Sequence, residues 1–373
     1  AIEARNRGRR VLVLDHANEI GKKILISGGG RCNFTNMYAG PENYLSRNPH
    51  FCKSALARYT PWDFIALVEK HRIPYHEKKL GQLFCDNSSK DILAMLVAEC
   101  QAAGVTIRAR TPVKRVEKDG RFRVTTEEDE LGAESLVIAT GGLSFAQMGA
   151  SGFGYDIARQ FGLGVTATRA GLVPLTLEGN LLQSARELAG ISLDSLVACR
   201  DQGFRENILF THKGVSGPAI LQISSYWQPG DALKVDLAPG EDLLEWLKER
   251  KEARPEARVA TVLGERFPNR FVQAFKGRWY RNKPMQHCSH RDLESLAGRL
   301  QAWRFKPSGS EGYPRAEVTI GGVDTDGISS KTLEAHDVPG LYFIGEVLDV
   351  TGQLGGYNFQ WAWASGFCAG QVV

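Results

Sequence analysis

"GRRVLVLDHANEIGKKILISGGGRCNFTN", residues 8–36, is the stretch whose reading decides the fold. Residues 11–15, "VLVLD", are apolar until an acid closes them, the pattern of a buried strand in a parallel sheet. In a dinucleotide-binding unit, the acid ending the second strand accepts hydrogen bonds from the adenosine ribose hydroxyls. Asp15 stands in that place. Ahead of it, residues 1–7 read as the end of a helix, with Gly8 as a left-handed cap. Such a unit also needs a first strand and a G-x-G-x-x-G turn, and these are expected upstream of Ala1. Beyond Asp15 come Gly28, Gly29 and Gly30, then Arg31, Cys32 and Asn33. Glycine is used where φ must be positive or where a ligand touches backbone.

Working outward, residues 54–73 read as two helices broken at Pro61, and residues 90–104 as an amphipathic helix ending at Gly104. Residues 105–138 alternate around turn signals at Asp119-Gly120 and Gly132, then close on an apolar strand. That strand is followed by Ala139, Thr140, Gly141 and Gly142. A last strand over residues 341–344 runs into Gly345 and Glu346, and Gly355, Gly356, Tyr357 and Asn358 open a small-residue helix. The expected class is α/β: a dinucleotide-binding domain split into residues 1–169 and 313–373. The insertion, residues 170–312, is mostly β to residue 240, then helical and basic over 241–305. No internal repeat or low-complexity segment interrupts the chain.

Composition narrows the function classes. Hydrophobic residues make up 43% and charged residues 24% of the 373, ordinary for a globular protein. No apolar run approaches the roughly 18–20 residues that span a bilayer, so no membrane partner is expected. The seven cysteines are scattered without a CxxC pair, and no metal site is expected. Free thiols point to the cytoplasm. The net charge of +4 permits a polyanionic partner without demanding one.

"GKKILISGGGRCNFTN", "LVIATGGLS", "GLVPLTL", "TIGGVDT" and "LYFIGEVLDVTGQLGGYNFQWAWASG" resemble the bacterial BaiN/RdsA-type NAD(P)/FAD-dependent oxidoreductases, also described as aminoacetone-oxidase-like flavoproteins. The resemblance runs nearly the whole length, and "SGGGRCN" with "GGYNFQWA" carries most of its specificity. It implies an FAD domain of the two-dinucleotide-binding type, an inserted β-barrel-like domain and a small helical subdomain. It further implies that Gly28, Gly29, Gly30 and Arg31 follow the pyrophosphate and approach the flavin, and that Ala139, Thr140 and Gly141 pass under the cofactor. Gly345 and Glu346 would face the ribityl chain or pyrophosphate. Gly355, Gly356, Tyr357 and Asn358 would offer amides to the pyrimidine edge of the ring.

Arg31 is a candidate for pairing with phosphate or anionic flavin, against a plain loop salt bridge. Cys32 is a candidate proton donor beside a cation, with Cys85 as the second thiol; the plainer reading is a small residue filling space. Asn33 joins them as a donor to a developing oxyanion. His76, His212 and His336 have no ligand spacing and read as surface or hydrogen-bonding residues.

"FKGRWYRNKPMQHCSHR", residues 275–291, contains no acid. It sets Trp279 and Tyr280 among Lys276, Arg278, Arg281 and Lys283, with Arg291 at its end. Cations for phosphates and aromatics for bases make an RNA surface. A solvated loop around a packed Trp is the competing reading. Members of the resembling family are associated either with reducing uridine to dihydrouridine in large-subunit ribosomal RNA or with reducing small steroid-like enones. The resulting expectation is an FAD enzyme, fed transiently by NAD(P)H, that saturates C5=C6 of a ribosomal uridine. The alternatives are a reductase or oxidase of a small molecule (an enone or an amine) and a non-catalytic flavin- and RNA-binding protein.

Overall fold

In the computed structural model, which describes residues 1–373, the run after Gly8 forms a parallel pair. Leu12–Leu14 lies beside Thr106–Arg108, with Val13 opposite Ile107. The preceding helix, Ile2–Asn6, ends as the cap rule requires, with Gly8 left-handed at φ +87° and its N–H on the Arg5 carbonyl. A second parallel pair joins Leu136–Ile138 to Leu341–Phe343, with Val137 opposite Tyr342. Segments from the two ends of the sequence therefore build one domain.

The strand expected over residues 11–15 forms over Leu12–Leu14 and is partly exposed in this structure. Leu12 remains 36% exposed, and so does Val137 in the other pair. Both parallel sheets are two-stranded, so each strand is flanked on one side only. Burial on both faces of a parallel strand requires flanking strands and covering helices.

The chain divides into two compact units, Ala1–Arg169 with Glu317–Val373, and Ala170–Ala316. In the first, Lys53–Arg58 and Pro61–Lys70 are separate helices. Thr60 caps the second helix through a reciprocal pairing with Asp63, and Pro61 occupies the first turn, where its missing N–H has no cost. Ser89–Ala103 starts on the Ser88 hydroxyl and stops at left-handed Gly104. Arg115–Asp119, Arg121–Thr125 and Glu130–Ala133 form an antiparallel meander. Asn33–Asn36, Gln82–Cys85 and Tyr75–Glu77 form another three-stranded sheet, and it carries the chain beyond the triple glycine.

The second unit holds a seven-stranded sheet. Its order is Trp303–Phe305, Leu233–Asp236, Ser192–Cys199, Gln202–Phe210, Gly214–Ser216, Leu175–Thr176, Gly309–Ser310. The two edge strands are consecutive in the chain, joined by residues 306–308. Four Cα steps reach at most about 14 Å, whereas seven flat strands would set the edges about 29 Å apart. The sheet must therefore roll until its edges approach. It is barrel-like in curvature, but no hydrogen-bonded ladder closes it. Helices Leu243–Ala253, Val259–Leu263, Asn269–Ala274 and His290–Gln301 share its apolar core, with Leu247, Val262, Phe271 and Leu296 buried beside Val235 and Phe210.

Candidate functional site

Parallel pairing sends consecutive strand ends out at the same edge of a sheet, where ligands of α/β proteins bind. Ile138 and Phe343 are register partners, and the Ile344 N–H donates to the Ile138 carbonyl at 3.0 Å. Ala139–Gly142 and Ile344–Glu346 thus leave side by side. Ala139 and Thr140 are exposed. Gly141 has φ +70° and open space where a Cβ would sit. A Cβ on Gly142 would lie 2.5 Å from Thr319 Oγ1 and 2.8 Å from Glu346 Oε1.

Those contacts belong to a polar knot that sequence reading missed. Lys23 Nζ donates to the Glu346 carboxylate and, at 3.1 Å, to Ser144 Oγ. Glu346 Oε1 also accepts the Thr319 N–H at 2.9 Å. Desolvation raises the Glu317 carboxyl pKa, and the Lys23 charge partly offsets it. The available signal was the Lys22-Lys23 pair just ahead of the triple glycine. Gly345 is buried with both backbone groups engaged, its N–H on Ser365 Oγ and its carbonyl on Trp361 Nε1. Of the Gly345-Glu346 pair, only the acid thus keeps an outward role.

The triple glycine forms a turn over Ser27–Gly30 with φ of +57°, +67° and +85° at Gly28, Gly29 and Gly30. Three successive left-handed residues are accessible only to glycine. Gly28 is needed by the fold itself, since a Cβ there would meet Asn33 N at 2.8 Å and the Phe84 ring at 2.9 Å. Gly29 and Gly30 would meet nothing within 4 Å, so their backbone faces open space.

The reactive candidates separate after this turn. Arg31 is exposed, and its guanidinium has no partner. Cys32, left-handed at φ +48°, and Cys85 are fully buried in one apolar cluster with Phe34, Phe64 and Leu83. Burial pushes the Cys32 thiol up to about 11 and the Cys85 thiol up to about 12. Asn33 is buried, and its amide is fully engaged. In the orientation that satisfies both ends, Nδ2 donates to the Thr35 and Leu83 carbonyls and Oδ1 accepts the Gly356 N–H, each at 3.1 Å.

That last bond ties the triple-glycine segment to the final loop. Gly356, at φ +96°, lies so close to Thr35 that a Cβ would be 2.4 Å from its carbonyl oxygen. Gly355 packs against the Gln82 side chain, and Asn36 Nδ2 holds its carbonyl at 2.9 Å. The Asn358 amide engages the Gly352 N–H and carbonyl, both at 2.8 Å. Helix Tyr357–Gly370 follows with no side-chain cap. Its first-turn N–H groups sit at the positive end of the helix dipole without a side-chain cap. Asp15 uses Oδ1 on the Ala17 N–H at 2.8 Å, and Oδ2 is free. His16 Nε2 lies 2.8 Å from the Gly149 carbonyl, linking the loop after the Asp15 strand to the loop after Leu136–Ile138.

Together these features fit a dinucleotide with a flavin: an acid with one free oxygen, glycine backbones facing open space, and a helix start without a side-chain cap. No cluster of three or more His, Cys, Asp or Glu is placed to hold a metal ion.

In the inserted unit the basic stretch is partly occupied by the fold. Trp279 stacks on Phe275 at 3.8 Å between centroids, and the Tyr280 hydroxyl donates to the Val272 carbonyl at 2.8 Å. Burial raises the Tyr280 phenol to about 12. Arg278 donates to Ser184 Oγ, and Lys283 pairs with Asp292 at 2.8 Å. Lys276 and Arg281 are exposed without a side-chain partner.

Comparison with known proteins agrees with this architecture. The chain is 54% identical over 98% of its length, and 92% of the relative's, to "Ribosomal RNA dihydrouridine synthase" of Escherichia coli (strain K12). It is 47% identical to the protein of that description from Haemophilus influenzae, over 97% of this chain and 92% of that one. Identity falls to 28%, over 98% and 92%, with "3-dehydro-bile acid delta(4,6)-reductase" of Clostridium scindens. A family model described as "HI0933-like protein Rossmann domain" matches residues 1–372, and the chain belongs to that family.

Proposed function

We propose that this protein is an FAD-dependent oxidoreductase that uses NAD(P)H to saturate the C5=C6 bond of a uridine in large-subunit ribosomal RNA. The observation that carries the reading is 54% and 47% identity, over nearly the whole chain, to proteins described as ribosomal RNA dihydrouridine synthases. The open glycine backbones and free amides at the strand ends support FAD as the resident cofactor. When bound, FAD supplies hydride transfer between the nicotinamide and the substrate double bond.

The chain's own groups then divide the work. Asp15 Oδ2 accepts from the adenosine ribose hydroxyls. Gly29, Gly30 and Gly141 let the cofactor lie against backbone. The Tyr357, Asn358 and Phe359 amides would stabilise negative charge on the ring. Lys23 neutralises Glu346, which would face the ribityl chain or pyrophosphate. Hydride addition at uridine C6 leaves negative charge on O4, which is discharged when C5 takes a proton from water, because both thiols lie in apolar packing. Arg31 is the one reactive candidate with a free, exposed head group, and we assign it to that charge. Cys32, Cys85 and Asn33 hold the loop in shape: two lie in apolar packing and the third is fully hydrogen-bonded. Lys276 and Arg281 keep free charge for RNA phosphates.

No helix is long and apolar enough to cross a membrane. A ribosomal RNA substrate and seven free cysteines support a cytoplasmic location.

The test is a dihydrouridine map of ribosomal RNA from cells with and without the gene. Loss of one site, restored by purified protein with NAD(P)H, is the expected result. An unchanged map overturns the reading. A second reading, reduction of a small enone, draws on the 28% identical bile-acid reductase. It predicts turnover with a conjugated ketone and no change in the map.

A further inference from the structure

The inserted unit contains a groove of about 260 Å³ lined by Trp279, Gly298, Arg299, Ala302, Trp303 and Arg304. Metabolite pockets run from roughly 300 to 1,000 Å³, so a groove this size takes a part of a larger ligand. Its aromatic wall is rigid. Trp279 stacks on Phe275 and meets the edge of Trp303 at 5.6 Å and 66°. Arg299 is held in place by donating to the Arg278 carbonyl at 2.8 Å, which leaves its charge unneutralised.

The sheet edge adds to this charge. Arg304 lies directly opposite Lys234 in register, and both are exposed. Neither has an acidic partner. Like charges placed directly opposite one another destabilise an antiparallel pair, so this arrangement costs the fold stability. One strand alternation further, Lys306 is exposed as well. Arg304 lines the groove and Lys234 faces it across the sheet register, neither paired to a carboxylate; cations at the rim of an indole-walled groove match the phosphate and base of a single nucleic-acid strand.

We propose that this groove seats one nucleotide of an unpaired RNA segment, with backbone phosphates on Lys234 and Arg304, Arg299 on the flanking phosphate or base edge, and the base against Trp279. The inference rests on the ribosomal RNA reading above. It extends the docking surface from Trp279 of the contiguous basic stretch to residues on two strands and a helix.

The test is binding of an unpaired ribosomal RNA fragment to the FAD-loaded protein across a salt series, comparing wild type with the double variant K234Q/R304Q. Removing two phosphate contacts should flatten the slope of log K against log salt by about 1.4 and weaken binding about tenfold at physiological salt. Bound-flavin absorbance and NAD(P)H oxidation with a dye acceptor should stay unchanged in the variant, which reports an intact holoprotein. R159Q, in the other unit, removes a surface cation paired with Asp156 and should leave the slope unaltered. A wild-type slope in K234Q/R304Q, or equal flattening by R159Q, overturns the inference. If the wild type forms dihydrouridine while K234Q/R304Q binds normally, the groove alone is wrong. If the wild type neither binds nor modifies ribosomal RNA, the functional reading falls first.

Discussion

Lys23 Nζ bridges Ser144 Oγ and the carboxylate of Glu346, a residue 323 positions away in the chain. The Glu346 side chain is only 13% exposed, so it depends on that cation and on the Thr319 N–H. Lys23→Met leaves a largely buried carboxylate without its counter-ion. Lys23 itself is partly solvated, so the expected loss is about 1–2 kcal/mol of stability. Weaker FAD retention should accompany it. Urea melts and flavin content after gel filtration check this, and Glu346→Gln in the Lys23→Met background should recover most of the stability.

Gly28 and Gly29 are neighbours with different demands. Gly28→Ala sets a Cβ 2.8 Å from Asn33 N in a left-handed residue, which should cost about 2–4 kcal/mol in unfolding. Gly29→Ala meets no atom and should cost only about 1 kcal/mol from its φ. Its methyl would project into the cofactor space, so FAD affinity should fall more than stability. Denaturant melts alongside fluorescence titration with FAD separate the two effects.

Arg31→Met should leave stability within about 0.5 kcal/mol, because the side chain is exposed and unpaired. Dihydrouridine formation should slow by about 10²-fold, the usual cost of removing one charge-stabilising donor, with FAD still bound. Single-turnover kinetics on RNA measure it. Full activity in Arg31→Met would remove Arg31 from the mechanism.

The buried thiols set an alkaline limit. Cys32 rises from 9.0 to about 11 and Cys85 from 9.0 to about 12, both chiefly through desolvation. Above pH 9 the unfolded chain releases these protons while the folded chain keeps them. Stability therefore falls as pH rises, by up to about 1.4 kcal/mol per pH unit for each thiol, between pH 9 and the folded values. Thermal melts from pH 8 to 11 should show the decline, and Cys32→Ala should flatten it. Under the packing role, Cys32→Ala retains FAD and activity within about twofold; a large loss of rate with FAD bound would return the thiol to catalysis.

The legible features were local ones. Thr60-Pro61 and Gly104 stop or start helices through backbone constraints that act within a few residues, and both are found where the chain signals them. The acid after Leu14 and the glycine loops after Ile138 and Phe343 follow from strand ends, which carry their own composition. The removal of Asn33 from the reactive set was not legible. Its amide meets Gly356, and only folding brings those residues together.

By itself the sequence determined the alternation of parallel strands and glycine turns, and the family, because each is written in short-range pattern or in motif. Only the tertiary structure decided which polar groups remain free. Trp279, Tyr280, Arg278 and Lys283 form one basic aromatic run in the sequence, yet each is engaged by the fold. Lys234 and Arg304, 70 positions apart, end up opposite one another without an acid. The physical reason is that a side chain's charge is available only if no long-range partner satisfies it, and partners are set by strand register and packing rather than by neighbours in the chain.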